Sequence, residues 1–315
     1  MEQFLYFSHA CGMPKEDVNF LNCSNESMEY VIENADFKVT QFTGSSRVAE
    51  RIAQKTNGRV RVEDAGFDWK VLGPDVSNFE YVCWQSDQDA YAATGQKCSA
   101  QSVVFMHENW QKAGFVDGIK KLAARRKLDD LTCGPIITWD NKRIKAHIDS
   151  VMAIKGAKLA FGGNELKNHK VPSCYGTYEP TAIEVPLDQF IANFDLCTTE
   201  LFGPFQIIVP YKEGEIDSII ASINRMKHHL TAGVTSNDPL FLDKVLGQTT
   251  NGVTYSGIRA RTTGAPQNHW FGPAGDPRGA GLGTKESILT VWTTHREIVR
   301  DYGPVKSDWK LPPPS

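Results

Sequence analysis

The sequence predicts an α/β protein built on parallel sheet, and three observations carry that expectation. Strand and helix patterns alternate through the first 66 residues, the rhythm returns with longer elements after residue 67, and a stretch dense in glycine, proline and asparagine follows at 251–284. Such alternation favours parallel strands joined by right-handed crossovers.

Taken in order, VNFLN (18–22) reads as a short strand and SMEYVIENA (27–35) as a helix. KVTQFTG (38–44) is a strand ending in glycine. SSRVAERIAQKTNG (45–58) reads as a helix, with Val48 and Ile52 on one face and Ala49 and Ala53 beside them. A serine can cap its start and Gly58 can end it. RVRVEDAG (59–66) alternates as a strand does. Chemistry is then expected at the carboxyl ends of these strands, where Thr43, Gly44, Ser45 and Glu63 lie. The helix start at Ser45-Ser46 offers free N–H groups that can hold a phosphate, although many strand-to-helix turns carry Gly-Ser with no ligand.

Beyond residue 67, WKVLGPD is a strand, and EYVCWQSDQDAYAATG is helical with Tyr81, Trp84 and Tyr91 near one face. SAQSVVFMH holds a strand, and FVDGIKKLAARRKL is an amphipathic helix that buries Phe115, Ile119 and Leu122. HLTAGVTS (229–236) is a strand, and NDPLFLDKVL (237–246) is a turn followed by a helix with Pro239 at its first position. Residues 251–284 read as mostly loop, and Trp270 and Phe271 within it argue for order. Gly279, Gly281 and Gly283 lack the spacing of a dinucleotide turn. The tail predicts a short helix, then an edge strand alternating at His295, Glu297 and Val299, then an extended, mobile end in KLPPPS.

Composition narrows the function. The 315 residues are 41% hydrophobic and 23% charged with net charge −3, so nothing electrostatic favours nucleic acid or an anionic membrane. Arg125-Arg126-Lys127 reads as a solvated face or a charge complement at a helix C-terminus. No run of apolar residues suits a transmembrane helix, and MEQFLYFSHACGM has neither signal-peptide nor transit-peptide character. The seven cysteines are odd in number and widely spaced without C-x-x-C, which argues against a disulfide framework and a zinc site and for a reducing compartment. The adjacent His228 and His229 make a poor ligand pair, so no metal is expected.

One cysteine stands apart. Cys98 lies in GQKCSA between a helix and a strand, and only about 3% of an ordinary thiol is ionised at neutral pH. Nearby helix N-termini would raise that fraction, and Glu63 could serve as a base across a domain interface. FTGS (42–45), EDAGFDWK (63–70), GQKCSA (95–100), ELFGPF (200–205) and NHWFGP (268–273) stand in the order and rough spacing found in the aldehyde dehydrogenase superfamily, which the chain resembles. EDAGFDWKVLGPD, WQSDQDAYAATGQKCSAQS and RTTGAPQNHWFGPAGDPRGAGLGT are closest to the plant-type 1-pyrroline-5-carboxylate dehydrogenases, also called L-glutamate γ-semialdehyde dehydrogenases.

The resemblance implies an incomplete Rossmann-type nucleotide-binding domain at 1–64, an α/β catalytic domain at 65–283, and a C-terminal helix, oligomerisation strand and mobile tail at 284–315. It makes Cys98 the nucleophile and Glu63 the activator of the deacylating water. Gly44, Ser45, Glu200 and Phe202 would bind NAD. Ser99, Phe271, Ala274 and Gly275 would bind the aldehyde, with Pro273 supplying no N–H to the anchoring loop. The product would be glutamate, the assembly a homo-oligomer and the compartment the mitochondrial matrix. The chain starts inside the expected nucleotide-binding domain, so two other readings stand beside the dehydrogenase: a non-catalytic subunit acting through its oligomerisation surface, and a Cys98-dependent esterase.

Overall fold

The computed structural model describes residues 1–64, 66–263, 269–300, 302 and 304–313, so Ala65 and Asn268 of the motifs above, with 264–267, lie outside the described residues. Among the described residues there are two sheets. The smaller pairs β1 (Thr40–Thr43) with β2 (Val60–Glu63) in parallel, joined by the helix Ser46–Lys55. That helix buries Ala49, Ile52 and Ala53 on Val60 and Val62, the face its spacing marks as apolar.

The larger sheet holds β3 (Asp68–Leu72), β4 (Gln101–His107), β5 (Lys158–Phe161), β6 (Thr181–Glu184), β7 (Phe205–Tyr211), β8 (Thr231–Thr235) and β9 (Val253–Ser256). Their order is β5-β6-β7-β4-β3-β8-β9, parallel throughout except for β5 at the edge. Alternation along the central strands feeds two cores. Trp69, Val71, Phe105 and Ile207 face one layer, which includes the helices Asn141–Met152 and Ile216–Asn224. Leu72, Val104, Met106 and Ile208 face the other, under the helices Phe79–Tyr91 and Phe115–Ala123.

β3 is buried along its whole length, yet it carries Asp68 and Lys70. The Lys70 ammonium is satisfied by Asp89 at 2.6 Å and Ser86 at 3.3 Å, all three side chains lying inside. A buried charge persists only when it is paired and hydrogen-bonded in this way.

The glycine-rich stretch is loop apart from β9, and it stitches the two sheets together. Val62 N–H donates to Arg278 O at 2.9 Å and Ala280 N–H donates to Val62 O at 2.7 Å, so 278–280 line the free side of β2. Arg278 also pairs with Glu50 on the small-sheet helix at 2.6 Å and with Asp276 at 2.7 Å.

Several expectations need correction. Residues 18–22 form no strand: all are exposed and no neighbouring strand offers a ladder. The helix Lys285–Val291 is present, but the edge strand after it is not, because 293–300 lie exposed without a partner strand. Arg126 turns inward to Asp87 at 2.6 Å instead of facing water. Tyr81 and Trp84 pack on each other with Trp84 exposed, whereas Tyr91, two turns further along, is fully buried. The helix Glu2–Ala10 and the strands β5, β6 and β7 were not foreseen.

Asp89→Ala leaves the Lys70 charge buried and uncompensated, and the expected loss is about 3–5 kcal/mol. Lys70→Met costs less, because Asp89 keeps two backbone N–H donors and the Gln85 amide. Urea denaturation of both variants checks the order.

Candidate active site

The chain runs from β2 into β3 through only four residues, 64–67, so the carboxyl end of the small sheet abuts the amino end of the large one. Glu63 closes β2, while Cys98, Glu200 and His229 all lie just before strands of the large sheet. The carboxyl-end expectation therefore holds for β1 and β2 but reverses for the larger sheet.

The turn before Cys98 is held under strain. Between the helix Phe79–Tyr91 and β4, the residues Ala93, Thr94 and Gly95 take φ of 53°, 60° and 65°. Left-handed conformations at two non-glycine residues cost on the order of 1–3 kcal/mol each and persist only where surrounding contacts hold them. Gly95 has no alternative, since a Cβ there would sit 2.2 Å from the Gly203 carbonyl oxygen. Thr94 Oγ1 accepts from Gly134 N–H at 2.6 Å, and the Gln96 amide bonds to Pro135 O and Ile137 N–H at 2.8 and 2.9 Å. Lys97 ties the turn to the helix end by donating to Gln88 O and Asp89 O at 2.9 and 3.0 Å. Burial pushes its ammonium down to about 8. The Asp89 carboxylate accepts from Thr262 N–H at 2.9 Å and Thr263 N–H at 3.3 Å, and Thr263 Oγ1 donates to Ser99 O at 2.9 Å.

Cys98 is half-buried against the cluster of Leu230 and Phe271, on which Val253 and Leu282 also pack. The Glu63 carboxylate, which accepts from Thr43 Oγ1 at 3.4 Å, lies near enough to act on its thiol. The structure thus brings together the two residues that the sequence pairs across the junction. Burial, then the charge of Glu63, push the thiol up to about 12. The expectation of a thiolate favoured by helix N-termini is corrected: a carboxylate faces this sulfur, and the resting thiol is neutral.

On the substrate side, Phe271 is buried beside Cys98 and pairs its backbone with Leu282 through two bonds of 2.8 Å. Ser99 is buried, and Gly275 is exposed. Ala274 N–H donates to His229 O at 2.9 Å, so it is spent inside the protein. That corrects its part in anchoring a substrate carboxylate.

The opposite side is a cleft of about 440 Å³ lined by Ser46, Asp64, Gly66, Thr198, Glu200 and His228, among others. Ser45 stands at the N-cap of the helix Ser46–Lys55 but makes no side-chain cap bond; the Ser46 hydroxyl instead reaches Asp64 O at 3.0 Å. The helix end is open to an anion there. Gly44 N–H bonds Glu63 O at 3.2 Å and so belongs to the scaffold of the turn. The Glu200 carboxyl packs against Gly66, where a Cβ would sit 2.2 Å from Oε1. The protein packed around that carboxyl pushes it up to about 7, although much of the residue's surface remains open to solvent. Phe202, with φ of 51°, lines an adjoining crevice with Gly95, Lys97 and Ala100 that shares Gly66, Phe67 and Glu200 with the cleft. An open helix N-terminus for phosphate and a carboxylate for sugar hydroxyls in one cleft suit a dinucleotide.

Sequence reasoning missed Asp68, Asp89, Lys97 and the Asp64–His228 pair, whose atoms stand 3.7 Å apart. The one available signal was a charged residue at alternate positions of the strand pattern DWKVL.

Residues 2–290 match the aldehyde dehydrogenase family. The chain belongs to that family. It is 55% identical over 316 aligned positions to the Delta-1-pyrroline-5-carboxylate dehydrogenase 12A1, mitochondrial, of Arabidopsis thaliana, covering 99% of this chain and 57% of that protein. It is 53% identical to a probable aldehyde dehydrogenase of Linum usitatissimum, again over 99% of this chain and 57% of the relative. The chain therefore spans little more than half the length of these relatives. Among solved structures, a bifunctional proline utilization A protein superposes with a TM-score of 0.75 at 21% identity over 91% of this chain and 28% of its own. An aldehyde dehydrogenase from Bacillus cereus superposes at 0.72 with 22% identity, over 86% of this chain and 54% of its own. Both show the shared fold. Aldehyde dehydrogenases generally use NAD or NADP, and the donor set of the cleft agrees with that.

Glu63→Gln removes the negative charge beside the sulfur. The Cys98 thiol then falls from about 12, and its alkylation by iodoacetamide at pH 8 accelerates about tenfold per unit of fall. Mass spectrometry of the Cys98 peptide over a pH series measures it; slower alkylation would show that Glu63 promotes the thiolate instead.

Proposed function

We propose that the chain carries the catalytic machinery for oxidation of L-glutamate γ-semialdehyde, the open form of 1-pyrroline-5-carboxylate, to glutamate with NAD. The observation that supports this most is the Cys98 thiol set near the Glu63 carboxylate, with an apolar wall beside it and a cleft suited to a dinucleotide close by. The relative in Arabidopsis thaliana, named for that reaction, supports the choice of aldehyde.

On this reading the thiol proton passes to Glu63 as sulfur adds to the aldehyde carbon, giving a thiohemiacetal on Cys98. A bound nicotinamide dinucleotide supplies the hydride acceptor that turns this adduct into a thioester. Glu63 releases its proton to solvent, then takes one from the water that attacks the thioester, and glutamate leaves. Phe271 and Leu230 exclude water from the sulfur until that step, and the buried turn at Ser99 shapes the carboxylate end of the site. Ser45 and Ser46 present the helix start to the pyrophosphate, and Glu200 takes the ribose. Residues 1–64 serve the dinucleotide side, 65–283 the chemistry and 284–315 assembly into a homo-oligomer. Ile298, Val299, Tyr302 and Trp309 are exposed in the tail and would be covered there. The mitochondrial name of the relative supports a matrix location.

Incubating the chain with 1-pyrroline-5-carboxylate and NAD should give NADH by absorbance, and Cys98→Ala should abolish it. Glu63→Gln should lower kcat by about 10²–10⁴-fold through slow deacylation. NADH formation that survives Cys98→Ala would sink the mechanism. Ester hydrolysis without NADH, lost in Cys98→Ala, would establish the esterase reading.

A further inference from the structure

Cys98 sits inside a β-turn. Ala100 N–H donates to Lys97 O at 3.1 Å, which makes Cys98 and Ser99 the central pair of the turn. A single backbone bond closes it, so the setting of the sulfur depends on what grips the residues on either side. Lys97 is gripped from the helix Phe79–Tyr91, where its ammonium donates to Gln88 O and Asp89 O at 2.9 and 3.0 Å. Between that helix end and the turn lie the left-handed residues Ala93, Thr94 and Gly95.

Ser99 is gripped from the loop that follows β9. Its carbonyl can only accept, so the Thr263 hydroxyl donates to it, at 2.9 Å. Thr263 is itself fixed, because its N–H donates to Asp89 Oδ1 at 3.3 Å and the Thr262 N–H donates to Oδ2 at 2.9 Å. Asp89 in turn is wholly buried on Lys70 and Gln85. One residue therefore anchors both flanks of Cys98: Lys97 through its backbone carbonyl, and Ser99 through its carboxylate by way of Thr263. Thr262 provides a contrast. Its hydroxyl is buried and has no partner among the described residues. The two threonines share a backbone anchor, but only the second carries a hydroxyl that reaches the turn.

We infer that Thr263 is a positioning residue whose hydroxyl fixes the Ser99 carbonyl and, with it, the setting of the Cys98 sulfur beside Glu63. The inference rests on the role proposed above for Cys98. The same loop continues to Phe271, so this bond also ties the apolar wall to the turn that carries the sulfur. Without the hydroxyl, the carbonyl of a buried residue loses its donor and the turn is free to relax. The sulfur then moves away from the packing and the carboxylate that together keep its thiol neutral. Its alkylation should quicken, because the thiolate is the reacting form.

The test compares the wild-type chain with Thr263→Val, Thr263→Ser and Thr262→Val. Valine keeps the shape of threonine without the hydroxyl. Alkylation of Cys98 by iodoacetamide at about pH 8, followed by mass spectrometry, should be about three- to tenfold faster in Thr263→Val, the factor that one lost neutral hydrogen bond gives. Thr263→Ser should return it to within about twofold of wild type, and Thr262→Val should stay there. The exposed Cys174 should react equally in all four proteins. Hydrogen exchange of the Ala100 amide, which closes the turn, should quicken in Thr263→Val alone. With 1-pyrroline-5-carboxylate and NAD, Thr263→Val should lower kcat by about three- to tenfold and leave the Kd for NAD, read by calorimetry, unchanged. A wild-type alkylation rate in Thr263→Val, no rescue by Thr263→Ser, or an equal effect of Thr262→Val would overturn the inference. So would failure of both Thr263→Val and Thr263→Ala to fold, since the bond would then serve stability alone. If none of the proteins forms NADH, the proposed reaction fails, while alkylation and exchange still decide the role of Thr263.

Discussion

The Asp89 carboxylate is the contact on which the turn before Cys98 depends. It is wholly buried and reaches four partners: the Lys70 ammonium, the Gln85 amide, and the N–H groups of Thr262 and Thr263. Two of these lie in segments far apart in the chain. One carboxylate therefore joins the central strand, the helix that leads to Cys98, and the loop that leads to Phe271. Thr263 closes the circuit through the Ser99 carbonyl. In a low-dielectric interior such a network rigidifies only when every member is satisfied, and that is how three residues can be kept in left-handed conformations immediately before the sulfur.

The second constraint is the junction of the sheets. A short link from β2 to β3 would leave the small sheet free to swing. The backbone pairing of 278–280 with Val62, and the Arg278 bonds to Glu50 and Asp276, remove that freedom. The same loop carries Phe271 and Ala274. Motion of the helix that fronts the cleft is thus coupled mechanically to the apolar wall beside Cys98. Glu63 gains its place from this arrangement: it ends one sheet where the next begins.

Chemically, the site holds Cys98 as a neutral thiol. An apolar wall and a facing carboxylate both disfavour the thiolate, which protects the sulfur from oxidation because reactivity follows thiolate character and exposure. The carboxylate that raises the thiol also stands ready to take its proton. Holding the acid and the base side by side would make ionisation a local proton shift that needs no external base.

The local pattern of the chain was enough to establish the alternation of strands and helices, the buried face of the helix Ser46–Lys55, Pro239 at a helix start, and the pairing of Cys98 with Glu63 through quoted motifs. These rest on periodicity and on residue types that carry their own conformational or chemical preference. The strands at 18–22 and 293–299 were misread because alternation describes a surface that a strand could use, while a ladder needs a neighbour that only the assembled sheet provides. The state of the thiol, the engagement of the Ala274 N–H with His229, and the buried bonds that join Tyr91, Gln206 and Gln101 were decided by the tertiary structure alone. Each is set by groups that lie far apart along the chain and act through burial and donor-acceptor matching, and neither quantity exists until the chain has packed.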